Sequence, residues 1–96
     1  MAETVDELTV AYEEGGIETV KELDKKVLTK GAWATVMFRY QEWMPAKAEY
    51  SADKFTIRRY QKRDGNYQQK SKFNISSVDQ AKSMIDILQE WTKDAV

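Results

Sequence analysis

The chain has 96 residues, 42% of them hydrophobic, and carries fifteen Lys and Arg against sixteen Asp and Glu, a formal net charge of −1, with neither Cys nor His. This is the length of one small domain, with a core of limited size. Without Cys and His there is no disulfide framework, no thiol nucleophile, no His-based metal site and not the commonest general base.

The charge is unevenly placed. Residues 1–24 hold eight acidic side chains (Glu3, Asp6, Glu7, Glu13, Glu14, Glu18, Glu22 and Asp24) against Lys21 alone. Residues 54–72 hold seven basic side chains (Lys54, Arg58, Arg59, Lys62, Arg63, Lys70 and Lys72) against Asp64. Such asymmetry suggests an acidic tail on a basic binding body. The alternative is that the two neutralise each other within the fold or between subunits. No apolar run approaches the ~20 residues that span a bilayer. The opening MAETVDEL is acidic and lacks the apolar stretch of a secretory signal. The expectation is a cytoplasmic protein with no membrane partner.

Residues 1–16 read as an acidic N-terminal arm, and 17–96 as a single sheet-plus-helix domain. Within the arm, Leu8, Val10 and Tyr12 alternate as in a short strand, while their acidic flanks suit a mobile segment. Gly15-Gly16 ends it. Ile17–Leu28 is expected to be the first strand. Its alternation is poor, which a bulge or an edge position would allow, and Ile17, Val20, Leu23 and Val27 also fit a helix. Lys30-Gly31 marks a turn. Trp33–Met44 is a clear strand, with Ala34, Val36, Phe38 and Tyr40 as its core side. Residues 44–53, with the only proline, Pro45, read as a loop.

Lys54–Ile75 is a hairpin about the turn cluster Arg63-Asp64-Gly65-Asn66-Tyr67. A two-residue turn at Asp64-Gly65, carried through, would set Ile57 opposite Lys72 and mix the two faces. A longer loop or a bulge pairs Ile57 with Phe73, Phe55 with Ile75, Arg58 with Lys72 and Tyr60 with Lys70, and is preferred. Arg58 and Lys72 would then repel unless an anion lay between them. The last element is a helix opened by the capping box Ser77-Val78-Asp79-Gln80, with Ser76 and Asp79 as a rival cap. Its apolar stripe comprises Val78, Ala81, Ile85, Leu88 and Trp91, widened by Met84 and Ile87. It is expected to cover a sheet face made by Phe38, Tyr40, Phe55, Ile57, Phe73 and Ile75. The stripe is wide enough to leave room for a dimer contact.

The opposite face would carry Trp33, Met37, Arg39, Trp43, Arg58, Tyr60, Lys62, Lys70 and Lys72. Cations interleaved with flat aromatics suit single-stranded nucleic acid, because cations follow phosphates and rings stack bases. Trp33 and Trp43 have a second reading, as packing under the 44–53 loop or in a dimer. Nothing assembles into catalytic machinery: Glu42 and Glu49 do not form a paired acid and base, Ser76-Ser77 serve the cap, and no phosphate-binding glycine motif or calcium-loop spacing occurs. The expectation is a protein that is not an enzyme and takes no cofactor, metal or small-molecule substrate.

Lys54-Phe55-Thr56-Ile57-Arg58-Arg59-Tyr60, Lys72-Phe73-Asn74-Ile75-Ser76 and the capped helix together resemble the transcriptional coactivator family known as positive cofactor four, which has bacterial and phage members. In architecture the resemblance covers about residues 17–93. Asn74 stands where a Gly is usual, Ala81 where an aromatic is common, and Arg58-Arg59 breaks the usual spacing of the strand motif. The resemblance implies an α+β fold of four antiparallel strands backed by one C-terminal helix, paired as a homodimer. It implies a module that binds single-stranded or melted DNA with little sequence preference. Arg58, Tyr60, Lys70 and Lys72 match its binding positions; Arg39, Trp43 and Lys62 come from face parity alone. RNA is an alternative ligand. A competing reading is a protein-interaction module that uses the acidic arm and a Trp-rich sheet face, which the near-neutral net charge favours.

Overall fold

The computed structural model describes residues 2–95. After a single 3-10 turn at Val5–Glu7, the chain forms β1 (Tyr12–Glu14), β2 (Ile17–Thr29), β3 (Trp33–Met44), β4 (Glu49–Tyr50), β5 (Lys54–Arg63), β6 (Asn66–Ile75) and α1 (Val78–Thr92). The fold is α+β. All strands are antiparallel, in the order β1-β2-β3-β5-β6, with β4 folded back onto the end of β3. The expected four strands are thus joined by two short ones, β1 and β4. No helix among the described residues is long and apolar enough to cross a membrane.

β3 is the centre of the sheet, and its alternation is strict: Ala34, Val36, Phe38 and Tyr40 are buried while their neighbours are not. The pairing of β3 with β5 sets Ala34 opposite Tyr60, Val36 opposite Arg58 and Phe38 opposite Thr56. Directly opposed residues share a face. Even positions of β3 therefore join even positions of β5, and Thr56 and Tyr60 are buried with them. This corrects the expected core. Phe55 and Ile57 lie across from Arg39 and Met37 and belong to the other face, where both are half-buried.

The core face is covered by the N-terminal segment and not by the helix. Leu8 and Val10 are each only 7% exposed and pack into one cluster with Ala34, Val36, Phe38, Tyr40 and Tyr60. Polar contacts fix this strap. Lys25 Nζ donates to the carbonyls of Val5 and Leu8, Val10 N and Thr9 Oγ1 donate to Glu22 Oε1, and Tyr67 N donates to Ala2 O. The alternation of Leu8 and Val10 is thus a core signal, although the flanking acids remain in solvent.

The β5–β6 hairpin combines the two registers weighed from sequence. Arg63 pairs with Asn66 across Asp64-Gly65, whose φ values of 51° and 81° are the paired left-handed conformations of a type I′ turn. Tyr60 still pairs with Gln69, but Arg59 pairs with Ser71, so Lys70 is the extra residue of a bulge. Beyond it come the expected pairs Arg58–Lys72, Ile57–Phe73 and Phe55–Ile75. The expected partner of Tyr60, Lys70, is displaced by one residue. β2 is likewise interrupted twice, around Leu23 and around Leu28, which explains its irregular alternation.

Ser77 caps α1 by accepting from Gln80 N, and Gln80 Oε1 in turn accepts from Ser76 N, a capping box shifted by one residue on its return bond. The helix touches the sheet chiefly where it leaves β6. None of its residues is buried, and Ile85, Leu88 and Trp91 are 52%, 54% and 77% exposed. The expected joint burial of Ile85 and Leu88 with the sheet is not found. The face they were assigned to is already occupied by Leu8 and Val10.

Truncating Leu8 to Ala should lower stability by about 2–3 kcal/mol, as for a core leucine, read as a fall in the urea midpoint. Lys25→Met should cost about 1 kcal/mol through the two lost carbonyl contacts. An unchanged midpoint in both variants would mean that the strap is not part of the folded core.

Candidate nucleic-acid interface

The cations of the hairpin have few acidic partners. Among the described residues, the ion pairs are Arg39–Asp53, Lys54–Glu42 and Lys93–Glu90. Of the seven basic side chains in 54–72, only Lys54 is neutralised. Arg58, Arg59, Lys62, Arg63, Lys70 and Lys72 lie along a hairpin whose ten-residue strands span ~30 Å.

Strand geometry divides this set. Arg58 and Lys72 face each other as expected, but on the core side and not on the opposite face expected for them, because Arg58 lies across from the buried Val36. Arg58 is half-buried; its Nη1 donates to Gln69 Oε1, and its Nε is buried without a partner. A cation held against a second cation, with one N–H unsatisfied, carries an unmet demand for an acceptor. Lys62 continues the row toward the turn. It lies opposite Tyr67, with its ammonium 5.4 Å from the ring centre. Tyr67 is anchored at both ends, its hydroxyl donating to Gly31 O and its backbone N–H to Ala2 O. Lys70 stands exposed at the bulge, on the outer strand of the sheet.

The other sequence candidates do not join this row. Tyr60 is 5% exposed in the core cluster, so it has no ring face to offer a base. Burial holds its hydroxyl above the ordinary tyrosine range against the opposing pull of Arg58, and burial followed by the charge of Glu42 raises Tyr40 likewise. Arg39 is on the reverse face and is paired with Asp53 at 3.3 Å. Trp43 lies at the opposite end of β3 from the hairpin turn, packed edge-on against Tyr50 with ring centres 5.1 Å apart. Trp43 thus takes the packing role weighed for it, under the 44–53 segment.

Parity missed Tyr67. The odd residues of β6 were assigned to the core together, but the bulge at Lys70 moves Tyr67 to the face of Lys62 and leaves Phe73 and Ile75 on the other. The arm also approaches this site: Glu3 and Asp6 line one groove with Lys30, Lys62 and Tyr67. The arrangement is therefore a row of cations, Arg58–Lys72–Lys62, ending at an aromatic ring, with acidic side chains along one rim.

Because both buried tyrosines bind their protons more tightly when folded, their contribution to stability is complete below the ordinary tyrosine pKa and is lost as pH rises past ~10. Urea midpoints should fall over that range, and Tyr60→Phe should remove part of the fall. A pH-independent midpoint would contradict the buried placement.

Compared with known proteins, the chain matches no family model, no curated protein and no solved structure.

Proposed function

We propose that the chain is a single-stranded nucleic-acid-binding module with little sequence preference, acting as a homodimer, in the manner of the positive cofactor four family it resembles. The observation that carries this reading is the pair Arg58 and Lys72, directly opposed on the hairpin with no carboxylate within ion-pair distance among the described residues. Backbone phosphates are the anions that fit a linear row of cations. The tyrosine at its end suits a base and requires no particular one, since every base has a stacking face. DNA is the ligand favoured by the resemblance.

Dimerisation is inferred from α1. None of its fifteen residues is buried within the chain, only Ala81 and Met84 being partly covered, and a helix of this length is marginal in water on its own. A large exposed apolar stripe marks a contact surface. The partner must be present whenever the chain is folded, and a second copy meets that condition. The exposed Trp91 favours a protein contact here, and self-association accounts for it without a separate interaction module. The acidic arm, being strapped into the core, is not free to serve such a module.

Arg58→Gln and Lys72→Gln should each weaken oligo-dT binding and lower the slope of log K against log salt by about one unit. Neutralising Glu3 and Asp6 together should strengthen binding at low salt, with the gain largely screened by about 0.15 M salt. Equal salt slopes in wild type and both cation variants would refute phosphate binding at this row. Independently, Leu88→Glu combined with Trp91→Glu should turn a dimer into a monomer in sedimentation equilibrium. A wild-type chain that is monomeric at micromolar concentration would overturn the helix-mediated dimer.

A further inference from the structure

The reverse face of the same end of the sheet carries a second aromatic–cation pair. Trp33 opens β3 next to the β2–β3 turn and is 41% exposed. The guanidinium of Arg59 lies 4.6 Å from its ring centre. Trp33 is opposite Gln61, and Arg59 is opposite Thr35 and Ser71, so these side chains share the face away from the core cluster. Arg63, two residues beyond Gln61 at the turn, alternates onto that face as well. Neither Arg59 nor Arg63 has a carboxylate within ion-pair distance among the described residues. The two hairpin ends are tied together by Lys62 N to Ala32 O and by the Tyr67 hydroxyl to Gly31 O. Lys62–Tyr67 and Arg59–Trp33 therefore stand back to back on one rigid tip. The apolar part of the reverse face, with Phe55, Phe73 and Ile75, lies at the other end, where α1 departs. Self-association through the helix would leave the tip open.

We infer that Trp33, Arg59 and Arg63 form a second subsite for the same nucleic-acid strand. The strand follows Arg58, Lys72 and Lys62 along the core face and turns over the hairpin tip. It then places a base on the Trp33 ring, with Arg59 and Arg63 against its phosphates. This rests on the proposed single-strand binding and extends it. A flat ring stacked on one side by an unpaired guanidinium, with a second unpaired guanidinium farther along the same face, suits a nucleobase with its phosphates, whereas a purely apolar partner would leave both cations without an acceptor. The subsite also predicts a dependence on ligand length, because a short oligonucleotide fills the core-face row without reaching the reverse face.

The test uses the full chain carrying Trp43→Phe and Trp91→Phe, so that Trp33 is the only indole emitter, titrated with oligo-dT of about 4 and about 16 nucleotides, lengths that bracket common site sizes. Emission from Trp33 should be quenched by the long oligonucleotide and little affected by the short one. In the wild-type background, Trp33→Leu should weaken long-oligonucleotide binding roughly five- to hundredfold, as for one lost stacking partner. It should leave short-oligonucleotide binding unchanged, and Trp33→Phe should restore most of the loss. Arg63→Gln should lower the salt slope for the long ligand only, by about one unit. Should Trp33→Leu fail to fold, the emission titration decides. If the wild-type chain binds the long oligonucleotide, yet Trp33 emission is unchanged and Trp33→Leu binds as wild type, the second subsite is wrong while the core-face row stands. If the wild-type chain binds neither ligand even at low salt, the single-strand reading itself fails.

Discussion

Val36 faces Arg58 across the middle of the sheet, and most of the molecule's surface chemistry depends on that pairing. It puts a guanidinium on the same face as the hydrophobic core. Burial of a charge is costly unless it is paired or hydrogen-bonded. Arg58 is accommodated because the cluster ends there: Leu8 and Val10 cover β3 and the adjoining part of β5, while the β6 side carries Gln69 and Lys72. The side chain lies along apolar surface with its head toward polar neighbours, as long cationic side chains commonly do. The proposed binding row is therefore the uncovered margin of the core face, and the extent of the N-terminal strap determines how much of that face is open.

The bulge at Lys70 is the second constraint. A tight type I′ turn and a matched hydrophobic register are incompatible over the length of this hairpin, since they differ by one residue. The extra residue reconciles them. It pairs Phe73 with Ile57 and the buried Ile75 with Phe55 at the helix end, and Tyr67 with Lys62 at the turn end. A bulge and an exposed lysine on an outer strand also discourage edge-to-edge pairing, so Lys70 has a structural role whether or not it meets a phosphate.

The strands were largely legible because their signals are local. Trp33–Tyr40 alternates without interruption, Lys30-Gly31 and Asp64-Gly65 are strong turn formers, and Ser77 with Gln80 announces a helix start. Which face each strand presents was less legible, because it depends on register between strands distant in sequence. Phe55 and Ile57 look more core-like than Thr56 and Arg58, yet the β3 pairing puts Thr56 inside. The strap was half visible in Leu8 and Val10, but its acidic neighbours pointed to solvent. Of the candidate residues, Arg58, Lys62 and Lys72 do share a face, but it is the core face of Val36 and not the opposite face on which they were expected with Trp33 and Arg39. Tyr60 was excluded by its depth, Arg39 and Trp43 by their place on β3. Tyr67 could not be read without knowing where the bulge falls.

In the proposed function, the cationic margin of the core face meets a nucleic-acid backbone. The most direct test is amide chemical-shift mapping of the isotope-labelled full chain during a titration with oligo-dT at low salt, repeated at high salt. The expected result is a continuous set of perturbed residues running from Lys72 and Arg58 to Lys62 and Tyr67, weakening as salt rises, with Trp43 and residues 84–91 unaffected. No perturbation at low salt, or perturbation confined to α1, would contradict it.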